Sequence, residues 1–412
     1  MRTEVARRFG AACACAIGAL LSFPVPPAAA VPPALDVRAA VMIDAATGQQ
    51  LYARNASQEL AIASTTKLMT ALVTLEHARL RQVFADPPFY PAAVDSQIGL
   101  EPGERMSVHD LLIAMMLPSA DDAAEDLAYN VGGGSVQRFI AMMNLRARQL
   151  GLAHTHYSTP IGLDTPGNYS SASDLVALAR FLLRTQPFLR RVVAMPSAVV
   201  RIGDDTQLLT NLNSLVGRVP WVNGVKTGHT IDAGYVLVGS GTRHGMTLIS
   251  AVLGAPSEAA RESDTLALLQ YGFREFRLRR PVAAGATLAR PYVAGRPNLR
   301  AQLIAESTFM RVFRRSTVVR SVVHAPALLT GPLRRHAILG TVIVLAGGVP
   351  VARIPLLLAR AVPAPPPSLL ASLGAGPFTL VVLGLLLGAG IVVTVSRQRR
   401  HRATRATNRR PA

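Results

Sequence analysis

The sequence predicts an α+β domain over residues 31–276, a small all-β domain over 277–360 and a C-terminal transmembrane helix over 378–395. Three observations lead there. Runs of strand character stand at both ends of 31–276 with helical apolar spacing between them, the pattern of an α+β domain. The charge balance breaks near Arg277: residues 277–376 hold 14 arginines against one acid, Glu306. Finally, Phe378 to Val395 is 18 residues without a charge, about the minimum for a spanning helix.

Taken in order, residues 1–30 open with Arg2, Arg7 and Arg8, continue through an apolar run from Ala11 to Phe23 and close on Ala28-Ala29-Ala30. This is a secretory signal peptide pattern. Both cysteines, Cys13 and Cys15, lie within it, so cleavage leaves a chain without disulfides, thiolate chemistry or cysteine-bound metal. Ala40–Asp44 and Gln50–Ala53, separated by Ala46-Thr47-Gly48, form a hairpin pattern. Thr65–Leu80 has helical spacing through Leu68, Met69, Leu72, Val73 and Leu75. Further helices are expected at about 107–117, 119–130, 135–150, 172–185 and 258–272, and buried strands at Val236–Gly239 and Met246–Leu253. Gly132-Gly133-Gly134 is read as a helix–helix turn, because no strand precedes it and no Lys-Ser/Thr follows, as a phosphate loop would require.

The signal region, the basic segment and the tail together carry 22 positive charges in excess, which leaves −3 for 31–276 out of the total of +19. Residues 277–360 alternate short apolar runs with turns, including a hairpin over 337–358 centred on Ala346-Gly347-Gly348. Their arginines suit contact with anionic lipid or an acidic wall polymer, or simply a solvated basic surface. Residues 361–377, with Pro363, Pro365, Pro366 and Pro367, read as a stiff linker. The tail, 396–412, has seven arginines and no acid. The positive-inside rule places it in the cytoplasm and the bulk of the chain outside, held at the cell membrane by a single pass. The apolar span beside the tail favours a membrane over nucleic acid as its partner. Gly384 and Gly388 form a GxxxG pair, as common in any spanning helix as in a helix-pairing one.

The chain has 41 arginines and only two lysines, Lys67 and Lys226. Arginine stays protonated in proteins, whereas a lysine amine is tunable and compact. Lysine would persist where an amine base or a point charge is needed. The first lysine lies in Ala63-Ser64-Thr65-Thr66-Lys67-Leu68-Met69-Thr70. A serine three positions before a lysine at a helix start brings both side chains to one face, where the amine reaches the hydroxyl. The helix N-terminus adds N–H groups for a developing oxyanion. The second lysine lies in Gly224-Val225-Lys226-Thr227-Gly228-His229-Thr230, read as preceding a buried strand. It offers an ammonium and a hydroxyl to a carboxylate, with Gly228 admitting close approach of the ligand.

Ser-x-x-Lys followed by Lys-Thr-Gly resembles the signature of the serine β-lactamases and penicillin-binding proteins. Chain order and the surrounding segments resemble the serine-type D-Ala-D-Ala carboxypeptidases, the low-molecular-mass penicillin-binding proteins of peptidase family S11. Those segments are Asp44-Ala45-Ala46-Thr47-Gly48, Gly162-Leu163-Asp164, Ser171-Ala172-Ser173-Asp174-Leu175 and Asn211-Leu212-Asn213. The resemblance covers residues 36–276 and implies a β-lactamase/DD-peptidase-like catalytic domain, an antiparallel sheet with a helical subdomain. It implies Ser64 as acylated nucleophile, Lys67 as its base and Ser119 as proton relay to the leaving group. Lys226 and Thr227 would hold the substrate carboxylate, and the backbone N–H groups of Ser64 and His229 would form an oxyanion hole beside Gly228. The implied partners are a peptidoglycan stem peptide ending in D-Ala-D-Ala and β-lactam antibiotics.

One position departs from the family. The second motif reads Ser119-Ala120-Asp121, where asparagine is expected third. An ionised Asp121 cannot donate to a substrate carbonyl, and it favours the charged form of Lys67. Protonation of Asp121, or a register in which Asp122 takes its place, are the alternatives. The departure motivates a second reading as a catalytically impaired penicillin- or muropeptide-binding surface protein. A β-lactamase is disfavoured because no glutamate, the deacylating residue of that family, occurs between Asp126 and Lys226. His154-x-His156 lacks an acidic or cysteine partner at ligand spacing, so neither metal nor other cofactor is expected. Arg261 is a weaker candidate for carboxylate binding.

Overall fold

The computed structural model describes residues 31–92, 96–365 and 377–406. The signal peptide expected at 1–30, most of the proline-rich stretch and the last residues of the tail lie outside the described residues. The chain divides into two units. One comprises the described residues up to Arg279 together with Arg311–Thr317; the other comprises Arg280–Met310 and the described residues from Val318 onward.

The first unit contains, in chain order, β1 (Ala39–Asp44), β2 (Gln50–Arg54), a 3-10 turn (Ala63–Thr66), α1 (Lys67–His77), β3 (Val83–Ala85), β4 (Arg105–Ser107), α2 (Val108–Met116), α3 (Asp121–Val131) and α4 (Val136–Gln149). There follow α5 (Ala172–Thr185), α6 (Pro187–Val192), β5 (Ser197–Ile202), β6 (Asp205–Thr210), the short turn α7 (Leu215–Arg218), β7 (Val222–Thr230), β8 (Gly234–Arg243), β9 (Met246–Ala255) and α8 (Glu258–Glu275). Five strands pair antiparallel in the order β2-β1-β9-β8-β7, which leaves β7 as an edge.

The period-2 geometry of a strand divides β1 between two cores. Ala39, Val41 and Ile43 face a core shared with α1 and α5. Ala40 and Met42 face Leu248, Leu268 and Leu269, where α8 packs. That packing is close: a Cβ on Gly272 of α8 would lie 2.6 Å from Met42 Sδ. Helix starts are set by serine caps. Ser107, Ser135, Ser171 and Ser257 each accept the backbone N–H three residues on, which satisfies a donor that the helix itself cannot.

The second unit, before its last helix, is built from strands. Thr287–Ala289, Leu303–Ala305, Val349–Leu358, Ile338–Ala346 and Val319–His324 form an antiparallel five-stranded sheet in that order. Its core includes Leu303, Val342, Val344, Leu356 and Leu358. Val362 is also buried and bridges to Leu333, so the proline-rich stretch starts beyond it rather than at 361.

Pro377–Ala406 is a 30-residue helix. Among the described residues, no helix is long and apolar enough to cross a membrane. The spanning helix expected at 378–395 is thus not found among the described residues. The helix does not end with the apolar run; it continues through Arg397, Arg399, Arg400, Arg402 and Arg405.

Candidate active site

Ser64 sits in the 3-10 turn that leads directly into α1, and Lys67 is the first residue of that helix. Lys67 is fully buried. Its ammonium donates to three acceptors: Ser64 Oγ at 2.9 Å, Asp121 Oδ1 at 2.5 Å and the Ile161 carbonyl at 2.7 Å. Three donors meet three acceptors, so the buried cation is satisfied. The Ile161 carbonyl, being backbone, has no sequence signal.

The turn is held from several sides. Thr70 Oγ1 donates to the Pro160 carbonyl at 2.6 Å and Asn168 Nδ2 to Thr66 Oγ1 at 3.2 Å. Gly162 has φ +97°, and a Cβ there would lie 2.1 Å from the Ala63 carbonyl oxygen. Only glycine fits so close to the nucleophile turn. Ala63 (φ +47°) and Ser119 (φ +69°) are both non-glycine residues in the left-handed region, and both stand at this site. Such strain persists where the surroundings over-determine it.

Ser119 lies between α2 and α3, and its buried Oγ has no hydrogen-bond partner among the described residues. The register beyond it is settled by Asp122, whose carboxylate accepts the N–H groups of Ile98, Gly99, Leu100 and Ala123. Asp122 is committed to that loop. Asp121 alone faces Lys67, so the shifted register is excluded.

β7 brings up the second lysine. Lys-Thr-Gly lies inside this edge strand rather than before a strand, because β7 runs through Thr230 before it turns into β8. Gly228 has a reason different from the expected one. A Cβ there would lie 2.9 Å from Ala63 Cβ and 3.0 Å from Ser64 N. The chain that needs the space is the nucleophile turn, and its approach sets the Ser64 N–H beside the His229 end of β7. His229 stacks on Tyr235 at a centroid separation of 4.0 Å, and Arg261 lies 5.8 Å over the Tyr235 ring.

Burial, then the charge of Lys67, push Lys226 well below the usual lysine range; Asp121 opposes and Arg261 adds to the fall. A buried ammonium among other cations is costly until an anion joins it. Arg261 is itself buried, 2.6 Å from Glu258. On α3, burial lifts Glu125 to about 7, with Asp121 adding to the effect. Burial, with repulsion from Asp126, lifts Asp86 to about 7, and burial lifts Asp126 to about 7 against the hydrogen bond from Asn130, with Asp122 adding to the rise. No motif flagged these acids. His154 contacts Glu59 at 3.4 Å and His156 contacts the Gly167 carbonyl at 2.6 Å, each apart from Ser64.

The family model for D-alanyl-D-alanine carboxypeptidases matches residues 27–257, more than half of the chain. The chain belongs to the D-alanyl-D-alanine carboxypeptidase family. It is 33% identical to the carboxypeptidase DacC of Escherichia coli over 75% of this chain and 80% of that one. It is 32% identical to DacF of Bacillus subtilis over 58% of this chain, spanning 63% of that relative's length, just under two thirds. Among solved structures, penicillin-binding protein 5 of Haemophilus influenzae superposes with a TM-score of 0.65 at 28% identity, covering 81% of this chain and 99% of that one. The DD-transpeptidase of Streptomyces K15 gives 0.57 at 33% identity, covering 59% and 99%. In this carboxypeptidase-family chain the residues picked out by motif converge from the nucleophile turn, the α2–α3 junction and β7.

Proposed function

We propose that this chain is a serine-type D-alanyl-D-alanine carboxypeptidase that trims peptidoglycan stem peptides through an acyl-enzyme and is acylated by β-lactams. One observation carries the reading: Ser64 Oγ lies 2.9 Å from Lys67 Nζ, with the depressed Lys226 acting on the same centre. A peptide ending in D-Ala-D-Ala would extend along the free edge of β7, its carboxylate meeting Lys226, the Thr227 hydroxyl and the field of Arg261. The anion favours the charged form of Lys226. Lys67, as the amine, takes the Ser64 proton while Oγ attacks the penultimate carbonyl. The N–H groups of Ser64 and His229 hold the oxyanion. Ser119 passes a proton to the departing D-alanine nitrogen, and water then releases the truncated peptide and regenerates Ser64.

A fluorescent penicillin tests the acyl-enzyme. Stable labelling of the wild type and its loss in Ser64→Ala are expected; equal labelling of both would refute the assignment of Ser64. A second reading, a slow or binding-only protein, is favoured by the 2.5 Å ion pair that ties up the Lys67 amine. A β-lactamase remains the weaker rival, since no glutamate is available between Asp126 and Lys226.

The proposed location is outside the cytoplasm, after signal-peptide removal, with membrane attachment through Pro377–Ala406. Exposed Leu385, Leu386, Ile391 and Val392 and the arginines that follow support it. Truncation before Pro377 should move the protein from the membrane to the soluble fraction. Retention at the membrane would refute attachment through this helix.

A further inference from the structure

A cavity lies in the first unit, between the α5–α6 corner and the sheet. Its volume is about 820 Å³, and four arginines line it: Arg180 and Arg184 from α5, Arg190 and Arg191 next to them in sequence, on α6. Asn223 and Ser240 line it from the sheet, and none of the residues assigned to acylation does.

Two independent features stand out. The first is uncompensated charge. Arg146, Arg218, Arg261 and Arg274 each have a glutamate within ion-pair reach. Among the described residues no carboxylate pairs with Arg180, Arg184, Arg190 or Arg191. Arg180 instead donates to the carbonyls of Ala45 and Ala46, at 2.8 and 3.1 Å. Burial and the neighbouring Arg184 lower its pKa, and Asp44 is the one carboxylate that opposes them. Four guanidinium groups around one cavity give it a positive potential that attracts an anion. The second feature is Ser240. Its side chain is 1% exposed, lines this cavity, and its Oγ has no hydrogen-bond partner. A buried hydroxyl without a protein partner has hydrogen-bonding capacity left for a water, an ion or a ligand in the cavity.

We propose that this cavity binds an anionic ligand carrying a phosphate or pyrophosphate group. Guanidinium forks match phosphate oxygens in pairs, and the excess of cations calls for more charge than a single carboxylate brings. Leu183, Met195 and Ile249 complete the wall, so the phosphate is borne on an organic body. The same chemistry is offered by a soluble phosphate ester and by a phospholipid headgroup.

Calorimetric titration of the full chain with inorganic pyrophosphate tests the site. Saturable binding to the wild type is expected, weakened about tenfold or more in Arg184→Gln/Arg190→Gln and by a smaller factor in Ser240→Ala. Labelling by fluorescent penicillin should be unchanged in both variants. Arg184 and Arg190 are exposed, so the double variant should keep its fold, checked by its melting temperature. No saturable binding, or equal binding by wild type and double variant, would overturn the proposal. Competition by phosphatidylglycerol vesicles but not by phosphatidylcholine vesicles assigns the phosphate to a lipid headgroup. Failure of both to compete assigns it to a soluble ester, and either result upholds the anion site.

Discussion

Lys67 Nζ lies 2.5 Å from Asp121 Oδ1, closer than its 2.9 Å to Ser64 Oγ. The proposed base is thus held by a carboxylate at the position where the family pattern has an amide. A buried ion pair must be disrupted before the amine acts. Asp121→Asn keeps the shape, removes the anion and supplies an N–H donor. The rate of penicillin acylation should rise about tenfold, because the amine is no longer held by an anion. An unchanged or lower rate would show that Asp121 does not restrain Lys67.

Gly162→Ala should be severe. Its Cβ would enter the Ala63 carbonyl at 2.1 Å, at a backbone φ of +97°. Stability should fall by about 3 kcal/mol, and penicillin labelling should fall with it. Thermal denaturation together with the labelling rate decides the matter.

Asp122→Ala strips four backbone N–H groups of their acceptor. A loss of about 3 kcal/mol in unfolding free energy is expected, measured by urea denaturation. A loss below a few tenths of that would contradict the loop-anchoring role.

How far the site was legible follows from these residues. Ser64, Lys67 and Lys226 were readable because their chemistry fixes their types and spacing, and β1, α5 and α8 because period and serine caps mark them. Ile161 and Asp122 were not, since one acts through its backbone and the other through a loop distant in sequence. The hairpin Ser197–Thr210 has no counterpart among the expected elements. Both its strands are largely exposed, so apolar alternation is weak there. The Lys-Thr-Gly strand was read one segment late, because its glycines mask the strand pattern. The apolar run at 378–395 was readable as helical, but the run alone does not show that the helix extends into the arginines beyond it.

The buried acids give a pH signature. Asp86 is raised from 3.8 to about 7, and neither carboxylate oxygen has a hydrogen-bond partner. A raised carboxyl binds more protons folded than unfolded, so its burial costs nothing below pH 4 and the cost grows as pH rises toward 7. Asp86→Asn should therefore match the wild type in stability near pH 4 and exceed it by about 2 kcal/mol at pH 8. A gain independent of pH would contradict the assignment. Urea melts at the two pH values measure it.

Lys226 has the opposite sign. Its depressed pKa means that the unfolded chain binds more protons below the ordinary lysine value of 10.5. Wild-type stability relative to Lys226→Met should be poorest at low pH, below the depressed folded-state value, and should recover as pH rises through that value toward 10. A difference that does not change with pH would contradict it, and paired denaturation curves supply the comparison.

The central claim is hydrolysis of a D-Ala-D-Ala bond by Ser64, and release of D-alanine from a pentapeptide ending in that dipeptide tests it most directly. The wild type should release D-alanine, and Ser64→Ala and Lys67→Ala should release none above the buffer rate. Wild-type protein that is stably labelled by penicillin yet releases no D-alanine would contradict the carboxypeptidase assignment and leave the binding-only reading in its place.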